Sequence, residues 1–221
     1  MTVVIIPAYN EEGTIADVIV RSLPYADRVL VVNDGSRDAT AAAAIHAGAQ
    51  VISHSLNRGL GAAIGTGIQA ARRLGADIVI TLDADGQHLP EEIPRFVEAL
   101  TLGADAVIGS RMLMLEGNMP PLRRVYQHIG NLVTFLLFGK RVTDSQSGFR
   151  AFSGRAADAM DLQTDRMEVS SEIISEIHRR RLAYAEVPIT AVYTDNSLRK
   201  GQSFSVGVKT AVKLFLHRLS G

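Results

Sequence analysis

Cysteine and tryptophan are both missing from this 221-residue chain, and aromatic side chains make up only 5% of it. Without a thiol there is no disulfide framework, no thiolate metal site and no cysteine nucleophile, so any metal must sit on oxygen or imidazole ligands. Long apolar runs are scarce as well. The longest strongly apolar stretch, Leu132 to Phe138, is far short of the ~20 residues a membrane-spanning helix needs. The opening residues Met1-Thr2-Val3-Val4-Ile5-Ile6-Pro7 lack a basic leader and run straight into a strand pattern, so a cytoplasmic protein is expected. Net charge is zero, but it is unevenly placed: residues 1–100 hold 12 acidic and 7 basic groups, and residues 101–221 hold 11 acidic and 16 basic. The second half is therefore the one expected to face anions. No nucleic-acid partner is expected, and the pattern specifies no oligomeric state.

What is present is enough apolar sequence, 47%, to bury one sizeable core. Apolar strand runs alternate with helical patterns through the first half, the signature of βαβ units and a mostly parallel sheet in an α/β fold. Strands are expected at Val3–Ile6, Val29–Val32, Val51–Ser53, Ile78–Leu82 and Ala106–Ile108. Helices are expected between them: one carrying Ile15, Val18, Ile19 and Leu23, then Ala39–Ala47, Ala62–Leu74 and Glu91–Leu100. The second half is less regular, with helices expected near Leu122–Phe138, Ser170–Arg181 and Val206–Leu219 and strands at Phe149–Phe152 and Ala183–Val187. The loop from Leu113 to Pro121, with Gly117, Asn118, Pro120 and Pro121, is the expected mobile segment.

Asp83-Ala84-Asp85 directly follows the apolar run Ile78–Leu82. A buried parallel strand would deliver both carboxylates to its carboxyl end, where ligands of open α/β sheets bind. Two carboxylates one residue apart repel each other unless something positive lies between them, and a divalent cation that also grips a diphosphate is the natural candidate. A pair of solvated loop aspartates is the competing account. Strand one ends in Pro7-Ala8-Tyr9-Asn10-Glu11-Glu12 and strand two in Asn33-Asp34-Gly35-Ser36, on the same sheet edge. Tyr9 can offer a ring face to a base, Asp34 can accept from a base or ribose donor, and Asp85 can hold a metal on phosphates. Singly, each has a plainer explanation: a turn at Asp34-Gly35-Ser36, an interfacial Tyr9, a helix first turn at Glu11 and Glu12. Their coincidence on one edge favours a site.

These segments, together with Asn57-Arg58-Gly59-Leu60-Gly61, Gly109-Ser110-Arg111 and Ser147-Gly148-Phe149-Arg150-Ala151-Phe152, resemble in order the motifs of the inverting family 2 glycosyltransferases. Within that family the likeness is to the dolichol-phosphate or polyprenyl-phosphate mannosyltransferase and glucosyltransferase branch. The resemblance spans about residues 3–152 and continues weakly to Ser203. It implies a GT-A fold over residues 1–203, a nucleotide-sugar donor, Mg²⁺ or Mn²⁺, and inverting transfer of one hexose to a polyprenyl phosphate, most readily mannose from GDP-mannose. Carried over by position, Pro7, Tyr9, Glu11 and Asp34 would line the nucleoside, Asp83 would touch ribose or sugar, and Asp85 with Gln87 would hold the metal. Arg111, Arg124 and Ser147 would lie near the sugar and acceptor phosphates. Asn33 departs from the family pattern, which often has a second aspartate there.

A phosphate acceptor is already anionic and needs no strong general base, so an enzyme of this kind must chiefly position it and stabilise the leaving diphosphate. Arg111, Arg123, Arg124 and Arg150 suit that work through forked donors, against the alternative of a solvated basic surface. Asp144 is placed to act as a base, to orient the acceptor, or only to cap its loop. Gly59-Leu60-Gly61, Gly65 and Gly67 lack the spacing of a dinucleotide fingerprint and the lysine of a P-loop, so they are read as a tight turn and close helix packing. His88 is read as a hydrogen-bond partner of the metal site rather than a ligand, because Mg²⁺ prefers oxygen. From Arg199 to Gly221 the chain has five Lys and Arg residues and no acidic one, and Val208, Val212, Phe215 and Leu219 form one helical stripe. Residues 204–221 thus suit either an interfacial helix on anionic lipid, peripheral to the cytoplasmic membrane face, or a helix packed on its own domain. A soluble acceptor, and a nucleotide-sugar-binding protein without transfer activity, are the rival functions.

Overall fold

The computed structural model describes residues 1–113, 142–190 and 192. The helices expected near Leu122–Phe138 and Val206–Leu219, nearly all of the loop from Leu113 to Pro121, and Arg123 and Arg124 lie outside the described residues.

Seven strands form one sheet: β1 (Thr2–Ala8), β2 (Arg28–Asn33), β3 (Gln50–Ser53), β4 (Ile78–Thr81), β5 (Ala106–Ser110), β6 (Arg150–Ser153) and β7 (Tyr184–Pro188), in the order β3-β2-β1-β4-β6-β5-β7. Among the described residues six helices accompany them: α1 (Ile15–Ser22), α2 (Thr40–His46), α3 (Leu60–Arg73), α4 (Ile93–Thr101), α5 (Gly154–Ala159) and α6 (Val169–Arg179). Short 3₁₀ turns at Leu23–Tyr25 and Pro90–Glu92 carry the prolines that break the helical pattern.

The central strands are apolar on both faces because both faces are covered. On one side Val3, Ile5, Leu30, Val32 and Val79 pack against Ile64 and Ile68 of α3, Ala156 of α5 and Ile173 and Ile177 of α6. On the other, Val4, Ile6, Val29, Val31 and Ile80 meet Ile15 and Ile19 of α1, Ala44 of α2 and Phe96 of α4. A Cβ on Gly67 would lie 2.3 Å from Ile5 Cγ2, so its absence lets α3 sit close on β1. Gly59, at φ +107°, turns the chain into α3, and a Cβ on Gly61 would strike the Thr164 carbonyl oxygen. These glycines therefore serve a turn and close packing.

β1, β2, β3 and β4 run parallel, and so do β5 and β7; β6 is antiparallel to both of its neighbours. That reversal positions the site. Arg150, the first residue of β6, pairs with Thr81 near the end of β4 and with Ile108 in β5. Residues 144–149 are thereby delivered to the same edge as the carboxyl ends of β1, β2, β4 and β5. The sequence pattern located the strand but carried no sign of its direction. It also missed α5, whose start is capped by the Ser153 hydroxyl accepting from Ala156 N at 3.1 Å.

Candidate active site

One side of the site grows from two crossover loops that are laced together. Asn10, in the left-handed region at φ 55°, receives the Arg37 N–H on its side-chain oxygen at 2.9 Å and gives its own N–H to Ser36 Oγ at 3.0 Å. Glu11 N donates to Thr40 Oγ1 at 2.8 Å, and Ala39 N donates to a Glu12 carboxylate oxygen at 2.9 Å. Tyr9 stands 42% exposed beside this seam, available for stacking. Asn33 is a turn residue: its side-chain Oδ1 accepts from Ser36 N and its side-chain Nδ2 donates to Ser53 Oγ, both at 3.1 Å.

Asp34 is buried at the end of β2. Its carboxylate accepts from Arg58 N at 2.9 Å, Gly59 N at 2.7 Å and His54 Nδ1 at 2.7 Å. His54 itself received no attention in the sequence pattern. It follows β3 directly and precedes the Asn57-Arg58-Gly59 motif, which is the signal that could have singled it out.

At the end of β4, Asp83 and Asp85 occupy different electrostatic settings. Burial opposes ionisation of Asp83, but the hydrogen bond from His88 and the charges of His88, Arg150 and Arg111 override it and hold the carboxyl below the ordinary aspartate range. His88 Nε2 lies 3.3 Å from an Asp83 oxygen, and the ring is tilted against Phe149 at 5.7 Å. For Asp85, burial and then the Asp83 charge push the carboxyl upward, partly offset by Gln87 and His88. Both Asp85 oxygens face Gln87, accepting from its backbone N at 3.0 Å and its side-chain Nε2 at 2.5 Å.

The pair fits a divalent cation. An anionic oxygen strained upward by a neighbouring anion is relieved by positive charge, and the donors are oxygens. Among the described residues no group of three or more His, Asp or Glu side chains could enclose a metal ion. A cation here would take one or two protein oxygens and complete its shell from phosphate and water, as Mg²⁺ commonly does.

The far side is built from buried charges. Arg111, just past β5, makes a two-pronged pair with Asp144: Nε to Oδ2 at 2.6 Å and Nη2 to Oδ1 at 2.8 Å, with Arg111 N donating to Oδ2 at 3.1 Å. Asp144 is fully buried, and the Arg111 side chain is 15% exposed. Arg150 is almost completely buried, donates from Nη2 to the Ser145 carbonyl at 3.1 Å, and keeps an unpartnered Nε. Burial pulls its guanidinium down to about 10 against the opposing charges of Asp83 and Asp144. Ser147 is also fully buried, its hydroxyl accepting from Phe149 N at 3.3 Å. Ser147 and Arg150, both expected near the acceptor phosphate, are buried, and Arg150 feels the charges of Asp83 and Asp144. A Cβ on Gly148 would come within 2.1 Å of Asp83 Oδ1, so the loop before β6 lies directly on that carboxylate.

Pro7, Tyr9, Glu11, Asp34, Asp83, Asp85, Gln87, Arg111 and Asp144 thus belong to segments that share one edge of the sheet. The family model for glycosyl transferase family 2 matches residues 3–159. The chain belongs to that family. This family 2 glycosyltransferase is 35% identical to the UDP-N-acetylglucosamine–dolichyl-phosphate N-acetylglucosaminyltransferase of Methanococcus voltae, over 97% of the present chain and 95% of that one. It is 42% identical to an uncharacterised protein of Methanocaldococcus jannaschii over 98% and 91% of the two chains. A third relative, the polyprenol monophosphomannose synthase of Mycolicibacterium smegmatis, is 34% identical over 73% of this chain and 64% of its own. Among solved structures, Mycobacterium tuberculosis glucosyl-3-phosphoglycerate synthase in complex with Mn²⁺, UDP and glucosyl-3-phosphoglycerate matches with a TM-score of 0.76 at 23% identity, covering 99% of this chain and 79% of that one. The fold is accordingly the GT-A fold.

Proposed function

We propose that this glycosyltransferase moves a hexose from a nucleoside-diphosphate sugar onto a polyprenyl phosphate with inversion, in the presence of Mg²⁺ or Mn²⁺. The observation that carries the reading is the unequal carboxylate pair at the end of β4, with a buried arginine–aspartate pair across from it. Asp85, with Gln87 Oε1, would hold the cation, which supplies charge neutralisation for the departing diphosphate. Asp83, kept ionised by His88 and Arg150, orients a hydroxyl of the sugar or ribose. Pro7, Tyr9, Glu11 and Asp34 line the nucleoside. Arg111, locked in direction by Asp144, supplies positive charge to phosphate, and Arg124, which lies outside the described residues, is proposed for the same work. The acceptor phosphate is its own nucleophile, so Asp144 orients Arg111 rather than removing a proton.

The relatives named for dolichyl and polyprenol phosphates support a lipid-linked acceptor. GDP-mannose is the proposed donor. UDP-N-acetylglucosamine is the second reading, favoured by the Methanococcus voltae relative that aligns over nearly the whole of both chains. The basic C-terminal stretch would keep the protein at the anionic cytoplasmic membrane face; no helix among the described residues is long and apolar enough to cross a membrane.

The test is to incubate the protein with polyprenyl phosphate and a panel of nucleotide sugars, with Mg²⁺, Mn²⁺ or chelator, and look for a glycolipid. Product formed only with divalent cation, and lost by more than about a thousandfold in Asp85→Ala, is expected. Transfer to a soluble acid in place of the lipid phosphate would replace the acceptor assignment, and near-normal transfer by Asp85→Ala would remove the metal assignment.

A further inference from the structure

We propose that His54 is a positioning residue for the nucleotide base, acting by holding the Asp34 carboxylate in one orientation; this rests on the donor-site reading above. An ionised carboxylate has about four lone-pair directions. In Asp34 three are taken, by the Arg58 and Gly59 backbone N–H groups and by His54 Nδ1, at 2.7–2.9 Å. One acceptor direction is left for a ligand N–H or O–H. The two backbone donors belong to a single loop and would move with it, whereas His54 ties Asp34 to the helix layer: its Nε2 lies 3.0 Å from Thr66 Oγ1 on α3. Its backbone is fixed as well, because His54 N donates to the Asn33 carbonyl at 2.9 Å. Its side chain is 8% exposed, too buried to serve as a surface contact.

The proton arrangement follows from the partners. A carboxylate only accepts, so Nδ1 carries the hydrogen; in the neutral ring Nε2 then accepts from the Thr66 hydroxyl. The line Thr66–His54–Asp34 runs from a helix to the proposed base contact, and its far end selects ligands that donate a hydrogen bond. A base N–H fits this acceptor; a ligand offering only acceptors does not. His54 therefore deepens donor selection without touching the donor.

Two isosteric replacements separate this role from plain packing. The amide nitrogen of asparagine can take the place of Nδ1, and that of glutamine the place of Nε2. His54→Asn can restore the bond to Asp34, and His54→Gln can restore only the contact to Thr66. Binding of GDP and of UDP, each with Mg²⁺, should be measured by titration calorimetry for the wild type and for His54→Ala, His54→Asn and His54→Gln, alongside melting temperatures. His54→Ala and His54→Gln should bind the preferred nucleotide about tenfold more weakly, as for loss of one hydrogen bond to a charged group, and His54→Asn should come within about threefold of wild type. In steady state the donor KM should carry the change, with kcat and acceptor KM held within about threefold. Thr66→Val, which keeps the ring but frees its far end, should show an intermediate loss and covers the case in which His54→Ala does not fold. Equal binding by all variants, or rescue by glutamine as good as by asparagine, overturns the role of His54. Wild-type protein that binds neither nucleotide overturns the donor-site reading itself, and the two failures are thereby told apart.

Discussion

The two sides of this site are held together by different physics. The side proposed for the nucleoside, at the ends of β1 and β2, is a lattice of hydrogen bonds in which Asn10, Glu11, Glu12, Asn33 and Asp34 each engage backbone or hydroxyl groups of a neighbouring segment. The opposite side, at the junction of β4, β5 and β6, rests on charge that is largely buried: Arg111, Asp144 and Arg150, with the partly exposed Asp83, compensate one another across 67 residues of sequence. Where each loop is tied by several such bonds, the loss of one member costs that bond and leaves the others in place. A charge cluster in a low-dielectric setting does not tolerate the loss of one member, because the remaining charge is left unpaired. The first side can therefore absorb single changes, while the second must be kept nearly whole.

The sharpest way to break that comparison is Gly148→Ala. The added methyl would lie 2.1 Å from Asp83 Oδ1 and 2.4 Å from its carboxyl carbon, so either the loop or the carboxylate must move. A displacement near 1 Å at a reacting centre costs about a hundredfold in rate, and that loss is expected in kcat with nucleotide binding changed by less than about threefold. Undiminished transfer by both Gly148→Ala and Asp83→Asn would show that Asp83 takes no part in it. Next in size is Asp144→Asn, which preserves shape but removes the charge that Arg111 faces at 2.6 and 2.8 Å. Breaking a buried ion pair of this kind costs about 3–5 kcal/mol. The melting temperature should fall, and the acceptor KM should rise by about tenfold while the donor KM stays put. A rise in donor KM instead would erase the division between the two sides.

The same division explains what the sequence revealed. Motifs at the ends of β1, β2 and β4 are contiguous in sequence and follow apolar runs, so strand, edge and polar cluster were all legible together; Val29–Val32 against the observed Arg28–Asn33 is typical of the agreement. The buried cluster is assembled by the reversal of β6, and no local pattern distinguishes an antiparallel strand flanked by two others from a parallel one. Arg150 was hence read as a phosphate ligand with no sign of its burial, which comes with the Thr81–Arg150 register. His54 escaped notice for a related reason. A lone histidine after a short strand carries no periodicity, and its meaning comes from Asp34 and Thr66, 20 residues before it and 12 after it. Gly148 entered only as a member of the Ser147–Phe152 motif, and the proximity of Asp83 shows why a side chain is excluded there.

The smallest expected effect tests whether the charged side is also fragile far from the chemistry. Asp105 precedes β5 at the opposite end of the sheet from the site, where it accepts from Arg155 Nη2 at 2.5 Å and Ala183 N at 2.9 Å. Burial alone would raise its pKa, but the Arg155 and Ala183 bonds outweigh that and hold it below the ordinary 3.8. A carboxyl depressed in the folded state adds stability above its unfolded pKa and loses it as pH falls through the folded one. Arg155 is 75% exposed, so solvent screens the pair and its worth is about 1 kcal/mol. Asp105→Asn should thus lower the melting temperature by about 2–4 °C at pH 7, with the gap to wild type closing below the ordinary carboxylate range, and should leave both KM values unchanged. A gap independent of pH would assign the loss to packing. A change in acceptor KM would mean that the charged side works as one unit from the base of β5 to Arg111, which would sharpen its contrast with the loop lattice across the sheet.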